Sequence, residues 1–175
     1  PKSTVSKVGE INLTKDADGA SAVYIEDGGK VTAAETAVIN LGTENQNRVA
    51  YYVKNANSNV KGTNIGKITG YGVGVYLQGN SATDKAKIDN TTPTLNYKAV
   101  SGTTGNGIIG LFLSGDTKIE SYTKGIVVGN TVQADPTIAN DEKKYAIGIY
   151  ADKQGTTGSH YKINTDVTTG KEGVG

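Results

Sequence analysis

The chain has 175 residues, with 18 Lys plus Arg against 17 Asp plus Glu, 24 Gly, 10 Tyr and no Cys, Met or Trp. The missing cysteines exclude disulfides, thiolate metal centres and cysteine nucleophiles. A formal charge of +1, with Arg48 the sole arginine, gives no sign of a nucleic-acid or membrane surface.

Hydrophobic residues make up 35% of the chain, fewer than a compact globule usually holds. They are mainly Val, Ile and Tyr, which suit a pleated, half-buried surface. Strand phrases follow one another from the N-terminus. Gly9-Glu10-Ile11 reads as a variant of the Lys–β-branched phrase that recurs downstream. Ala22-Val23-Tyr24-Ile25, Lys30-Val31 and Ala37-Val38-Ile39-Asn40 follow, with Tyr24, Val31 and Val38 spaced 7 residues apart. Next come Ala50-Tyr51-Tyr52-Val53 and Lys67-Ile68, the latter either closing this period or opening the next. Gly74-Val75-Tyr76-Leu77 and Lys87-Ile88 begin a third period, and the segment Asp89–Gly107 holds a possible strand of its own around Leu95-Asn96-Tyr97. Gly110-Leu111-Phe112-Leu113, Lys118-Ile119 and Gly125-Ile126-Val127-Val128 make a fourth. Gly148-Ile149-Tyr150-Ala151, Lys162-Ile163 and the fragmentary Gly173-Val174-Gly175 make the last.

The aromatic positions Tyr24, Tyr52, Tyr76, Phe112 and Tyr150 are separated by 28, 24, 36 and 38 residues. The gaps between phrases are rich in turn formers and too short for the helix of a βαβ unit. Three short strands per period predict an all-β chain: a right-handed, three-sided parallel β-helix of about five rungs with loop insertions. Residues 1–175 are then expected to form a single β-helix segment and, since the chain has no methionine, to be a piece of a longer one. Tyr24, Tyr52, Tyr76, Phe112 and Tyr150 are expected to form a structural aromatic ladder of offset stacks within the core of one wall. The excess length of each period is assigned to loops at Gly42–Arg48, Lys54–Asn64, Gly79–Asp84, Asp89–Gly107 and Asn130–Lys144.

Chemistry-bearing residues are few. His160, the single histidine, sits in a polar turn without an orienting partner in sequence. Asn164-Thr165-Asp166 matches one short motif of polygalacturonases, and Asp152 and Asp166 could approach between rungs; the rest of that pattern is missing. Asp16-Ala17-Asp18-Gly19 reads as an Asx-type turn, lacking the later ligands of a calcium loop. The glycines of Gly72-Val73-Gly74 and Gly105-Asn106-Gly107 read as turn and packing residues, since no P-loop Lys-Ser/Thr follows. The chain is therefore expected not to be an enzyme, with no catalytic, cofactor-binding or metal-binding residue and no cofactor. Tyr97, Tyr122, Tyr145 and Tyr161, outside the repeated position, are the candidates for exposed contacts.

The repeated Gly-Lys-Ile-Thr-Gly-Tyr-Gly-Val-Gly-Val-Tyr-Leu type of phrase, set among Asn/Thr/Lys loops, resembles the passenger regions of Gram-negative type V autotransporters. The likeness is greatest to the large fusobacterial-type adhesins. The matching stretches are Gly9–Leu13, Ser21–Val31, Gly66–Leu77, Gly107–Val128 and Ala146–Ile163. The resemblance implies an exported β-helical stalk at the cell surface, held to the outer membrane through a separate C-terminal barrel. It implies adhesion to a host-cell or bacterial surface protein or glycan, and no nucleic-acid partner. It carries over no ligand-binding residue. A purely structural stalk or spacer, and a pectin-type polysaccharide hydrolase or lyase, are the alternative readings.

Overall fold

The structure is a computed structural model. It describes residues 4–5, 9–13, 18–33, 38–42, 47–55, 58–62, 68–81, 86–88, 95–98, 108–118, 126–129, 146–154 and 166–169. These residues are all-β, without a helix, and their strands pair in parallel into three sheets. Sheet 1 contains β1 (Thr4–Val5), β4 (Lys30–Ala33), β7 (Asn59–Gly62), β10 (Ala86–Ile88) and β13 (Thr117–Lys118). Sheet 2 contains β2 (Glu10–Asn12), β5 (Val38–Asn40), β8 (Ile68–Thr69), β11 (Leu95–Lys98), β14 (Ile126–Gly129) and β16 (Val167–Thr169). Sheet 3 contains β3 (Ser21–Ile25), β6 (Val49–Lys54), β9 (Val73–Gly79), β12 (Ile108–Gly115) and β15 (Ala146–Gln154). From β1 to β15 the chain visits sheets 1, 2 and 3 in turn, and each strand pairs with the strand three places on.

The cause lies in the strand phrases. Successive side chains of a strand point to opposite faces, so apolar residues at every second position can be buried together. In sheet 3, Val23, Tyr51, Val75, Leu111 and Ile149 share one register column, and Ile25, Val53, Leu77, Leu113 and Ala151 share another. Tyr51, Val75, Leu111, Val53, Leu77 and Leu113 are all buried in a single apolar cluster. Val31 and Ala86 from sheet 1, and Ile39, Ile68 and Val128 from sheet 2, join the same cluster.

Pairing continues between the strands as well as within them. Leu41 N donates to Thr69 O at 2.8 Å, Tyr71 N to Gly42 O at 3.1 Å and Val73 N to Arg48 O at 2.9 Å. Between sheets 3 and 1, Asn55 N donates to Gln78 O at 2.8 Å and Asp116 N to Gly79 O at 3.2 Å. Backbone groups that leave one sheet are thus satisfied before the chain enters the next. The crossing from sheet 2 to sheet 3 passes Gly70, whose φ is +100° and where a Cβ would run into the Gly42 backbone.

Three sequence assignments need correction. Lys67-Ile68 does not belong with the other Lys phrases: Ile68 is in β8 of sheet 2, opposite Ile39 and Tyr97. Its place in sheet 1 is taken by Asn59-Val60 of β7, so Lys54–Asn64 is not simply a loop. Asn and Gly lower the local strand signal there, and register supplies it instead. Glu10-Ile11 pairs with Val38-Ile39 in sheet 2 and is not a variant of the Lys phrase. The strand expected around Leu95-Asn96-Tyr97 within Asp89–Gly107 is present: Leu95–Lys98 lies in sheet 2 between β8 and β14. The proposed loop Asn130–Lys144, with His160 and Lys162-Ile163, lies outside the described residues.

Tyr51 offers a test of burial in sheet 3. Desolvation holds its phenol well above the ordinary tyrosine value. The folded state therefore binds the phenolic proton more tightly than the unfolded chain does. This contribution to stability is complete below about pH 10 and is lost as pH rises above it. Denaturant titrations should show stability falling through the alkaline range, and Tyr51→Phe should flatten that fall.

Candidate functional site: an outward aromatic column

Between the two buried columns of sheet 3 lies a third, formed by Tyr24, Tyr52, Tyr76, Phe112 and Tyr150 in successive register. Strand alternation puts these rings on the face opposite Val75 and Leu77. Tyr24 and Tyr150 are 46% and 42% exposed, and the three rings between them are half-buried. The core position expected for these rings is therefore wrong: in the Tyr51-Tyr52 pair it is Tyr51 that enters the interior. Aromatic side chains signal a strand without specifying its face, and the inward columns here are filled by their Val and Leu neighbours.

Ring centroids along the column are separated by 5.1, 4.6, 4.6 and 5.0 Å. That spacing is set by neighbouring parallel strands, which lie about 4.8 Å apart. Tyr52 and Tyr76 are stacked at an interplanar angle of 12°, whereas Tyr24 meets Tyr52 at 90° and Tyr76 meets Phe112 at 68°. Phe112 and Tyr150 are tilted at 43°, so the column mixes edge-on, stacked and tilted contacts. A uniform file of offset stacks is not what forms.

The column has two unlike borders. Two residues before the rings, on the same strands, stand the small residues Ala22, Ala50, Gly74, Gly110 and Gly148. Two residues after the first four rings stand Glu26, Lys54, Gln78 and Ser114. Tyr24 Oη donates to Glu26 Oε2 at 3.0 Å, and Tyr52 Oη donates to Gln78 Oε1 of the next strand. Burial, and then the neighbouring phenols of Tyr76 and Tyr24, hold the Tyr52 phenol above its ordinary value. The result is a strip of π and C–H surface edged by donors and acceptors. Such a strip can lie against a flat partner that has an apolar face and a polar rim.

The Tyr52–Tyr76 contact should be directly measurable. A double-mutant cycle with Tyr52→Ser and Tyr76→Ser is expected to give a coupling of about 1 kcal/mol in denaturant unfolding. Additive effects of the two changes would mean that the rings do not interact in solution.

The remaining candidates are scattered along the sequence, and the structure describes some of them. Asp152 and Asp166 are both exposed, on sheet 3 and just before β16 respectively. Asp18 and Gly19 lie in a turn, while Asp16 and Ala17 are outside the described residues. Tyr97 shares the register position of the buried Ile68 and Val128. Tyr122, Tyr145 and Tyr161 are outside the described residues. Among the described residues no group of three or more His, Cys, Asp or Glu is placed to hold a metal ion.

Sequence reading missed the role of Arg48. It is 1% exposed at the crossing from sheet 2 to sheet 3, with Nη1 donating to Leu41 O at 2.5 Å. Gly42 makes room for it, since a Cβ there would meet Nη1. The one available signal was its solitude in a chain that otherwise uses lysine.

No protein-family model matches the chain. No curated protein and no solved structure matches it either.

Proposed function

We propose that the three sheets are the walls of one right-handed, three-sided parallel β-helix, and that this rod is a segment of an extracellular bacterial adhesin. The observation that carries the reading is the regular succession of sheets 1, 2 and 3, with each strand pairing three places on. A chain wound around a common apolar interior would produce that succession, and right-handed crossovers are the rule between parallel strands. Adhesion follows from the resemblance of the repeated phrases to autotransporter passengers, and the half-exposed aromatic column supports it. Aromatic side chains left outside a fold, with small residues and polar groups beside them, are suited to contact.

In this reading the chain is a passenger segment displayed at the cell surface of a Gram-negative bacterium. It works as scaffold, presenting its outer faces and connecting segments to a host-cell or bacterial surface. The test is attachment of beads coated with the purified chain to epithelial cells and to other bacteria. Folded chain should attach, and heat-unfolded chain should not. Deleting residues 130–144, or Tyr24→Ser with Tyr150→Ser, should reduce attachment while leaving the circular dichroism spectrum unchanged. No attachment by the folded chain would remove the adhesive role and leave a spacer.

A further inference from the structure

The strands of sheet 1 carry Lys30, Lys61, Lys87 and Lys118 and neither Asp nor Glu. The chain as a whole is balanced, with 18 basic and 17 acidic residues. The other sheets show no such bias: sheet 2 strands hold Glu10 and Lys98, and sheet 3 strands hold Lys54, Asp152 and Lys153. Charge is therefore sorted by sheet.

Register aligns these lysines. Thr4, Lys30, Asn59, Lys87 and Lys118 occupy one column, and Lys61 stands beside Thr32 in the column two residues on. Val31 belongs to the alternate column with Val60 and Ile88; it is buried while Lys30 is exposed. Lys30 is thus on the outer face of the sheet, and register puts Lys61, Lys87 and Lys118 at positions of that same face. Strand spacing places Lys87 and Lys118 one interval apart and Lys30 two intervals from Lys87, a row on the order of 15 Å long. Like charges at directly opposed positions in a sheet repel one another, and a polyanion laid along the row would relieve that repulsion.

We propose that the outer face of sheet 1 binds a linear sulfated polysaccharide, its sulfates paired with this row of lysines. The charge pattern fixes the sign of the partner, and the residue types fix its class. The sheet 1 strands contain no Arg, Phe or Tyr, so nothing there forks onto a base edge or stacks on a base. Lysine ammoniums act as hydrated point charges and suit regularly spaced sulfates. The preference for a glycan over a nucleic acid rests also on the extracellular reading above.

The test is isothermal titration of the chain with a size-defined heparin oligosaccharide, with its desulfated N-acetylated counterpart and duplex DNA as parallel arms. The sulfated oligosaccharide should bind and the desulfated one should not. Lys30→Gln, Lys61→Gln, Lys87→Gln and Lys118→Gln should each weaken binding about fivefold, and all four together at least about a hundredfold. The logarithmic salt slope should fall by about one for each lysine removed. The fourfold Lys→Arg variant should bind like the parent chain, and melting curves would show that every variant is folded. The proposal is overturned if the parent chain fails to bind, if the fourfold Gln variant binds undiminished, or if Lys54→Gln and Lys98→Gln weaken binding equally. DNA bound as tightly as heparin would also overturn it. Attachment to whole cells is scored separately, so the heparin result decides this proposal alone.

Discussion

Gly79→Ala is expected to destabilise the chain by at least about 4 kcal/mol, enough to prevent folding of a marginal domain. A Cβ at this buried position would overlap the carbonyl oxygen of Asp116 in the adjacent strand connection, and Asp116 N donates to Gly79 O at 3.2 Å. The obstacle is backbone, so no rotamer change can clear it; β9 and β12 would have to separate locally. Gly115, aligned with Gly79, would in turn press a Cβ on the Gly79 carbonyl. Gly9 supplies the control, because nothing lies within 4 Å of a Cβ built there. Urea unfolding of Gly79→Ala, Gly115→Ala and Gly9→Ala should rank them in that order of harm, with Gly9→Ala close to neutral. A near-parental Gly79→Ala would mean that β9 and β12 are not paired as described.

Arg48→Ala is expected to cost about 3 kcal/mol, the scale of a buried charge-assisted hydrogen bond together with its lost packing. The guanidinium fills the space over Gly42 and holds the Leu41 carbonyl, while the Arg48 carbonyl accepts from Val73 N. Truncation would leave a void and an acceptor without its donor. Arg48→Met keeps most of the volume and removes the buried charge, and should recover part of the loss. Arg48→Lys should not match the parent, since its single ammonium lacks the planar fork. Equal stability of the Ala and parental chains in urea would show that this crossing contributes nothing.

Much of the architecture was legible because the sheets are written as short repeated phrases. The placement of Tyr24, Tyr52, Tyr76, Phe112 and Tyr150 in one column could be read directly from their shared neighbours. Their side of the sheet could not. Val-Tyr-Leu is apolar at every position, so the alternation that would separate inside from outside is absent. Sheet 1 failed for the opposite reason. Asn59-Val60-Lys61-Gly62 has a single apolar residue, and only pairing with Val31 and Ile88 makes it a strand. Lys67-Ile68 misled because a dipeptide can match a repeat by chance. Arg48 was invisible as a buried group, since long-range enclosure leaves no local pattern. The one-sided charge of sheet 1 was present in the Lys phrases, and became meaningful once Lys61 was placed beside them.

The strand pairing also bears on how the molecule comes to be folded. In sheet 3 the partners Tyr24–Tyr52, Tyr52–Tyr76, Tyr76–Phe112 and Phe112–Tyr150 are separated by 28, 24, 36 and 38 residues. The entropy of closing such loops varies only slowly with their length. Each strand newly added to sheet 3 therefore meets nearly the same entropic obstacle as the last, and finds in its neighbour a template of matching hydrogen-bond donors and acceptors. Growth by accretion from one nucleus is the expected course, with a first strand pair that is slow to form and later strands that add readily.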